Sequence, residues 1–237
     1  MQRNAWKFFF LLFFSTNVFA EDWKPISDGI KIKILSQDSA RSRIIAFKIN
    51  PKLYNFSVAM GKPVASVGEL AKQSQALIAI NGGFFSADLK PLGLRINNYQ
   101  VLSPFKKINW WGVFYIENNK PHLKTSQSFT LSSQIAFAVQ AGPRLLIHNM
   151  IPRFKPDTAE RSAIGISNDQ QVIIAITQSN ELSLTQWAEI LKTELDCTEA
   201  LNLDGGSSSQ LYTDLPETQI YVPNFSRVTD AVIVTDH

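Results

Sequence analysis

Leu201-Asn202-Leu203-Asp204-Gly205-Gly206-Ser207-Ser208-Ser209 ends an apolar run in an acid, two glycines and three hydroxyls. An apolar run that stops at such a turn reads as a buried strand delivering a carboxylate to a loop whose backbone a ligand can approach closely. The same pattern stands upstream in Ala76-Leu77-Ile78-Ala79-Ile80-Asn81-Gly82-Gly83-Phe84-Phe85. Two buried strands, each closing on Asn or Asp plus Gly-Gly, suggest two turns that line one site. Further apolar runs, such as Val172-Ile173-Ile174-Ala175-Ile176 and Ala231-Val232-Ile233-Val234, suit strands covered on both faces.

Strands are expected over 30–35, 43–49, 54–60, 76–80, 111–116, 135–139, 144–147, 171–176, 200–203 and 230–234, with a strand entry after Arg161. Two capping boxes predict helices. Ser66-Val67-Gly68-Glu69 opens one that runs to about Ser74, and Ser183-Leu184-Thr185-Gln186 opens the other. The second carries Leu184, Trp187, Ala188, Leu191 and Leu195 on one face, at helical spacing for a core. The expectation is a single α+β domain with mixed β-sheets and a few packed helices. Pro152–Arg161, charged and holding two prolines, reads either as an ordered functional loop or as a plain connection.

Residues 1–20 have the make-up of a secretory signal. Arg3 and Lys7 precede the apolar Phe8–Phe14, and Val18-Phe19-Ala20 offers a cleavage site, so Glu21 is the expected start of a mature domain over 21–237. The apolar run is too short to span a bilayer, which needs ~20 residues, so no stable membrane insertion is expected after cleavage. The 23 basic and 20 acidic residues give a net charge of +3. Removing residues 1–20 takes away two bases and no acid and leaves +1. That balance makes no electrostatic case for nucleic acid. Cys197 is the only cysteine, which excludes an internal disulfide and fits a periplasmic or secreted protein of bacterial type.

The three histidines, His122, His148 and His237, have no zinc spacing. Ser207 follows Gly205-Gly206, but Ser209 stands where a nucleophile elbow needs glycine, which argues against a serine hydrolase. Carboxylate, amide, guanidinium and glycine-turn chemistry remain. Asp204 can serve as base, acid, nucleophile or metal ligand, or simply as a turn former. Asn81 can hydrogen-bond a sugar hydroxyl, orient a water or make a plain turn. Arg144, after Gly142-Pro143, and Arg161 suit a bidentate phosphate grip or a structural ion pair.

Four segments in order resemble the phosphodiester glycosidase family. They are Asn81-Gly82-Gly83-Phe84-Phe85, Ala141-Gly142-Pro143-Arg144-Leu145, Arg161-Ser162-Ala163-Ile164-Gly165 and Asn202-Leu203-Asp204-Gly205-Gly206-Ser207-Ser208. Ser162 stands where the family usually has Thr, and Thr177-Gln178-Ser179-Asn180 replaces a usual acidic-Gly turn. The resemblance implies hydrolysis of a sugar-1-phosphodiester at the anomeric bond, releasing the sugar from a phosphomonoester. It implies catalytic roles for Asp204, Arg161 and Asn81, and substrate contacts from Gly82, Gly83, Arg144, Gly205, Gly206 and Ser207. The expected substrate is a glycosyl phosphodiester of envelope polysaccharide type. A divalent cation, Ca²⁺ or Mg²⁺, suits the Asp and Asn side chains. The alternative is a non-catalytic envelope protein that binds glycan or phosphate.

Overall fold

The structure, a computed structural model, describes residues 22–37 and 39–237. The expected signal segment and the expected start at Glu21 lie outside the described residues. Strands are numbered in chain order. A seven-stranded sheet has the spatial order β1 (Lys24–Ser27), β2 (Ile30–Gln37), β3 (Ser39–Ile49), β14 (Val172–Gln178), β13 (Ser162–Ser167), β16 (Cys197–Asn202) and β11 (Arg144–Leu146). A second sheet runs β7 (Gln100–Ser103), β6 (Arg95–Asn97), β10 (Ile135–Ala141), β8 (Gly112–Glu117) and β9 (Lys120–Thr125). A third runs β18 (Tyr221–Val222), β17 (Leu211–Thr213), β5 (Ile78–Asn81), β19 (Val228–Asp236) and β4 (Tyr54–Ala65). A small ribbon pairs β12 (Thr158–Ala159) with β15 (Leu182–Ser183).

The three large sheets share one central core, and period-two alternation decides what each strand gives to it. Ile174 and Ile176 of β14, Ile78 and Ile80 of β5, Val232 and Val234 of β19, and Phe137 and Val139 of β10 all point inward. The residues between them point outward and are buried as well. Ile173 and Ala175 pack with Trp187, Ala188 and Leu191 of helix α2 (Leu184–Thr193). Ala79, Ala231 and Ile233 pack with Val67, Leu70 and Ala71 of helix α1 (Val67–Gln73). The helices thus cover the outer faces of two sheets, which is why β14 and β19 read as unbroken apolar runs. Both capping boxes form: Ser66 and Glu69 bond reciprocally at α1, and Ser183 and Gln186 do the same at α2.

The α+β expectation is corrected. Among the described residues the protein is mostly β, with two short α-helices of 7 and 10 residues. The described strand pairings are all antiparallel, so the sheets are not mixed. The missing strands are polar or very short. β7 is Gln-Val-Leu-Ser and β9 is Lys-Pro-His-Leu-Lys-Thr, and neither shows an apolar run of strand length. Among the described residues, no helix is long and apolar enough to cross a membrane.

Candidate functional site

β5 and β16 belong to different sheets, and the two Gly-Gly turns that follow them meet. Asn81 ends β5 with its side chain fully buried. Its amide nitrogen donates to the Asp204 carbonyl at 2.7 Å and to the Gly82 carbonyl at 3.2 Å. Its oxygen accepts from the Ser162 hydroxyl at 2.8 Å and from the Gln210 amide at 3.1 Å. The Asp204 amide in turn donates to the Gly82 carbonyl at 3.1 Å. Residues 123 positions apart are therefore joined, but Asn81, Gly82 and Gly83 are not among the residues that line the cleft beside the second turn. The Asn81 side chain itself faces inward, with both its atoms engaged. It holds the Asp204 backbone and presents nothing to solvent.

A buried ion pair that the sequence reading did not single out supports the first turn. Arg95 Nε donates to Asp230 Oδ1 at 2.6 Å, with the two side chains 0% and 1% exposed. Arg95 also donates to the Leu94 and Gln140 carbonyls, at 3.1 and 2.9 Å. Gly82 lies directly against this pair. A Cβ there would stand 1.8 Å from Asp230 Oδ1, so the position admits only glycine. A Cβ on Gly83 would meet Arg95 Nη2 at 2.7 Å and the Gln140 carbonyl at 2.8 Å. The one clue in the sequence is Asp230, a charge at the head of the apolar run Ala231-Val232-Ile233-Val234; β6, Arg-Ile-Asn, offers none.

Asp204 is partly buried, and the backbone amide of the next residue, Gly205, donates to its Oδ1 at 3.0 Å. Burial raises its pKa above the ordinary aspartate value. Hydrogen bonds from the Ser208 side chain and the Gly205 amide oppose the rise, the Asp230 charge adds to it, and Arg95 works against it. Gly206 adopts a positive φ of 58°, which turns the chain so that its amide donates to the Glu160 carbonyl at 2.7 Å. The amides of Gly82, Gly205 and Gly206 thus all have partners within the protein.

Arg161 follows Glu160 and is nearly buried. Nε donates to the Leu182 carbonyl at 2.8 Å, and Nη2 to the Asp157 carbonyl and carboxylate, each at 3.1 Å. Its Nη1 end lies closest to the second turn, 4.0 Å from where a Cβ on Gly205 would sit. Arg144 belongs elsewhere. Its guanidinium bonds Glu199, which also accepts from the His148 amide at 3.0 Å, and its stem packs against Gly112.

The second turn forms one wall of a cleft of about 810 Å³. Gly206 and Ser207 line the cleft together with residues 158–160, 178–181 and 222–225. The charged 152–161 segment is therefore ordered where it matters, since its last residues shape the cleft. Asp204 stands two residues behind the Gly206 wall, and Ser207 is exposed on it. Among the described residues, no group of three or more His, Cys, Asp or Glu stands close enough to hold a metal ion. The residues missed from sequence are Arg95, Asp230, Glu160, Asn224 and Phe225, all brought in by loops or pairings distant in the chain.

This arrangement defines a many-stranded antiparallel β protein with a carboxylate and an arginine at the loops where two sheets meet. The phosphodiester glycosidase family model matches residues 74–235, and the chain belongs to that family. YigE, an uncharacterised protein of Escherichia coli, is 28% identical over 180 residues, covering 68% of this chain and 70% of its own. The catalytic domain of zebrafish N-acetylglucosamine-1-phosphodiester alpha-N-acetylglucosaminidase, auto-inhibited by its pro-peptide, superposes with a TM-score of 0.65 at 16% identity. That match covers 88% of this chain and 82% of the zebrafish domain. A hypothetical protein from Synechocystis superposes with a TM-score of 0.62 at 16% identity, covering 89% of this chain. The chain spans 63% of the length of that protein. At these identities the superpositions establish a shared fold.

Proposed function

We propose that the protein hydrolyses a sugar-1-phosphodiester at the anomeric carbon, with Asp204 as the group that handles the proton of the attacking water. The observation that carries this reading is the Asp204 carboxylate: partly buried, raised in proton affinity, and fixed at the turn that walls the cleft. A base works best when its pKa approaches the working pH, and desolvation moves Asp204 in that direction. Water adds to the anomeric carbon, the bond from that carbon to the phosphate oxygen breaks, and a phosphomonoester departs. Its second pKa is near ~6, so it leaves without a strong general acid. Ordinary glycosidases require two carboxylates for that work. Arg161 supplies positive charge through the Nη1 end that faces the Gly205 turn, and Ser207 offers a hydroxyl to the phosphate. Asn81 positions Asp204 through its backbone. Family membership supports the glycosidase reading in general.

The test is a panel of sugar-1-phosphodiesters with purified protein, with and without chelator. Release of free sugar and phosphomonoester from at least one member is expected. No release from any member overturns the reading, and the chelator arm decides whether a divalent cation takes part. Export is proposed alongside. An intact mass beginning at Glu21 is expected for the secreted protein, and a mass that retains residues 1–20 refutes cleavage.

A further inference from the structure

Phe225 lies at the cleft and is 98% exposed. An aromatic ring left in water is usually on a loose loop, but this one is not. The residues on both sides of it are tied to the Asp204-Gly205-Gly206-Ser207 turn. Asn224 Nδ2 donates to the Gly206 carbonyl at 3.1 Å and to Glu160 Oε2 at 2.6 Å. The Ser226 amide donates to the Ser207 carbonyl at 3.1 Å, and the two serine hydroxyls bond at 2.7 Å. Gln210 Nε2 donates to the Ser226 carbonyl at 2.7 Å, and the Phe225 amide to Asn224 Oδ1 at 2.8 Å. The backbone is pinned while the ring is left free, as a preformed platform for a ligand requires.

Glu160 lines the same cleft. Its Oε1 accepts from the Ser179 amide at 2.9 Å and its Oε2 from Asn224. A carboxylate has about four acceptor sites, so each oxygen retains capacity for a hydroxyl donor. An exposed apolar ring and a hydrogen-bonded carboxylate–carboxamide pair lining one cleft suit a pyranose, which shows C–H groups on one face and hydroxyls at its edge.

We infer that Phe225, Glu160 and Asn224 form the sugar-recognition wall of the cleft: the ring stacks on the apolar face of the pyranose, and the Glu160–Asn224 pair receives its hydroxyls. Glu160 is here a specificity residue, distinct from the proton-handling Asp204. The inference rests on the glycosidase reading for the identity of its ligand, and its test separates the two. Phe225→Ala and Phe225→Trp are compared with wild type on the methyl phosphodiester of N-acetylglucosamine 1-phosphate and on its glucose counterpart. Phe225→Ala is expected to raise KM roughly 3–10-fold, the worth of one aromatic stacking contact, with kcat nearly unchanged. Phe225→Trp restores KM. Equal melting temperatures are expected, since the ring buries nothing. A KM for Phe225→Ala equal to that of wild type overturns the wall. If wild type turns over no sugar phosphodiester, the glycosidase reading falls, and the wall is then read by titrating methyl N-acetylglucosaminide into both proteins. Binding lost in Phe225→Ala upholds it; equal binding, or none to wild type, overturns it.

Discussion

In the proposed reaction Asn81 and Asp204 divide the work, one as scaffold and one as reagent. Asp204→Asn keeps the size of the side chain and the acceptor for the Gly205 amide, while removing charge and basicity. Turnover is expected to fall ~10²–10⁴-fold, the usual worth of general base catalysis, measured as kcat on a sugar phosphodiester. The same change should stabilise the fold near neutral pH. Because burial raises the Asp204 pKa, the native state holds more protons than the unfolded chain between the ordinary aspartate value and the raised one. Ionisation there weakens the fold, and unfolding free energy falls as pH rises. Paired melting curves should show Asp204→Asn melting higher at neutral pH, with the gap closing below the ordinary aspartate range. Both residues were legible as strand-end polar groups before Gly-Gly. The inward turn of Asn81 was not, because its partners Ser162 and Gln210 come from other strands.

The local grammar of individual elements was easier to read than their number. Each capping box in the sequence forms in the structure, since the bonds it makes span only three residues. Ser183→Ala removes the acceptor for the Gln186 amide at 3.2 Å. It should cost about 1 kcal/mol, seen as a melting temperature roughly 2–4 °C lower. The ten expected strands all coincide with real ones: those such as β14 and β19 are apolar runs buried on both faces, and β2 and β4 begin by alternating buried and more exposed residues. β6, β7, β9 and β17 escaped notice: their residues are held by pairing to a neighbour, and their own composition carries little signal. Short polar strands of this kind turned an expected α+β protein into a mostly β one.

Across the whole molecule, the Arg95–Asp230 pair links two sheets, β6 on one side and β19 on the other, 135 residues apart in sequence. Nothing local announces such a partnership. Arg95→Leu leaves Asp230 as an uncompensated charge in the interior and strips donors from the Leu94 and Gln140 carbonyls. Breaking a buried pair from one side typically costs 3–5 kcal/mol, so thermal unfolding should shift down by roughly 6–20 °C. The placement of β19 has a further consequence. It is the last strand in the chain, yet it lies between β4 and β5, and Asp230 on it closes against Gly82. A chain cut just before Val228 carries all four sequence motifs of the family and lacks the strand that seats the first turn. Such a product should be inert toward the substrate of the full protein. Activity therefore reports the presence of β19, and a proteolytic product that has lost it would keep the family's motifs and none of the chemistry proposed for them.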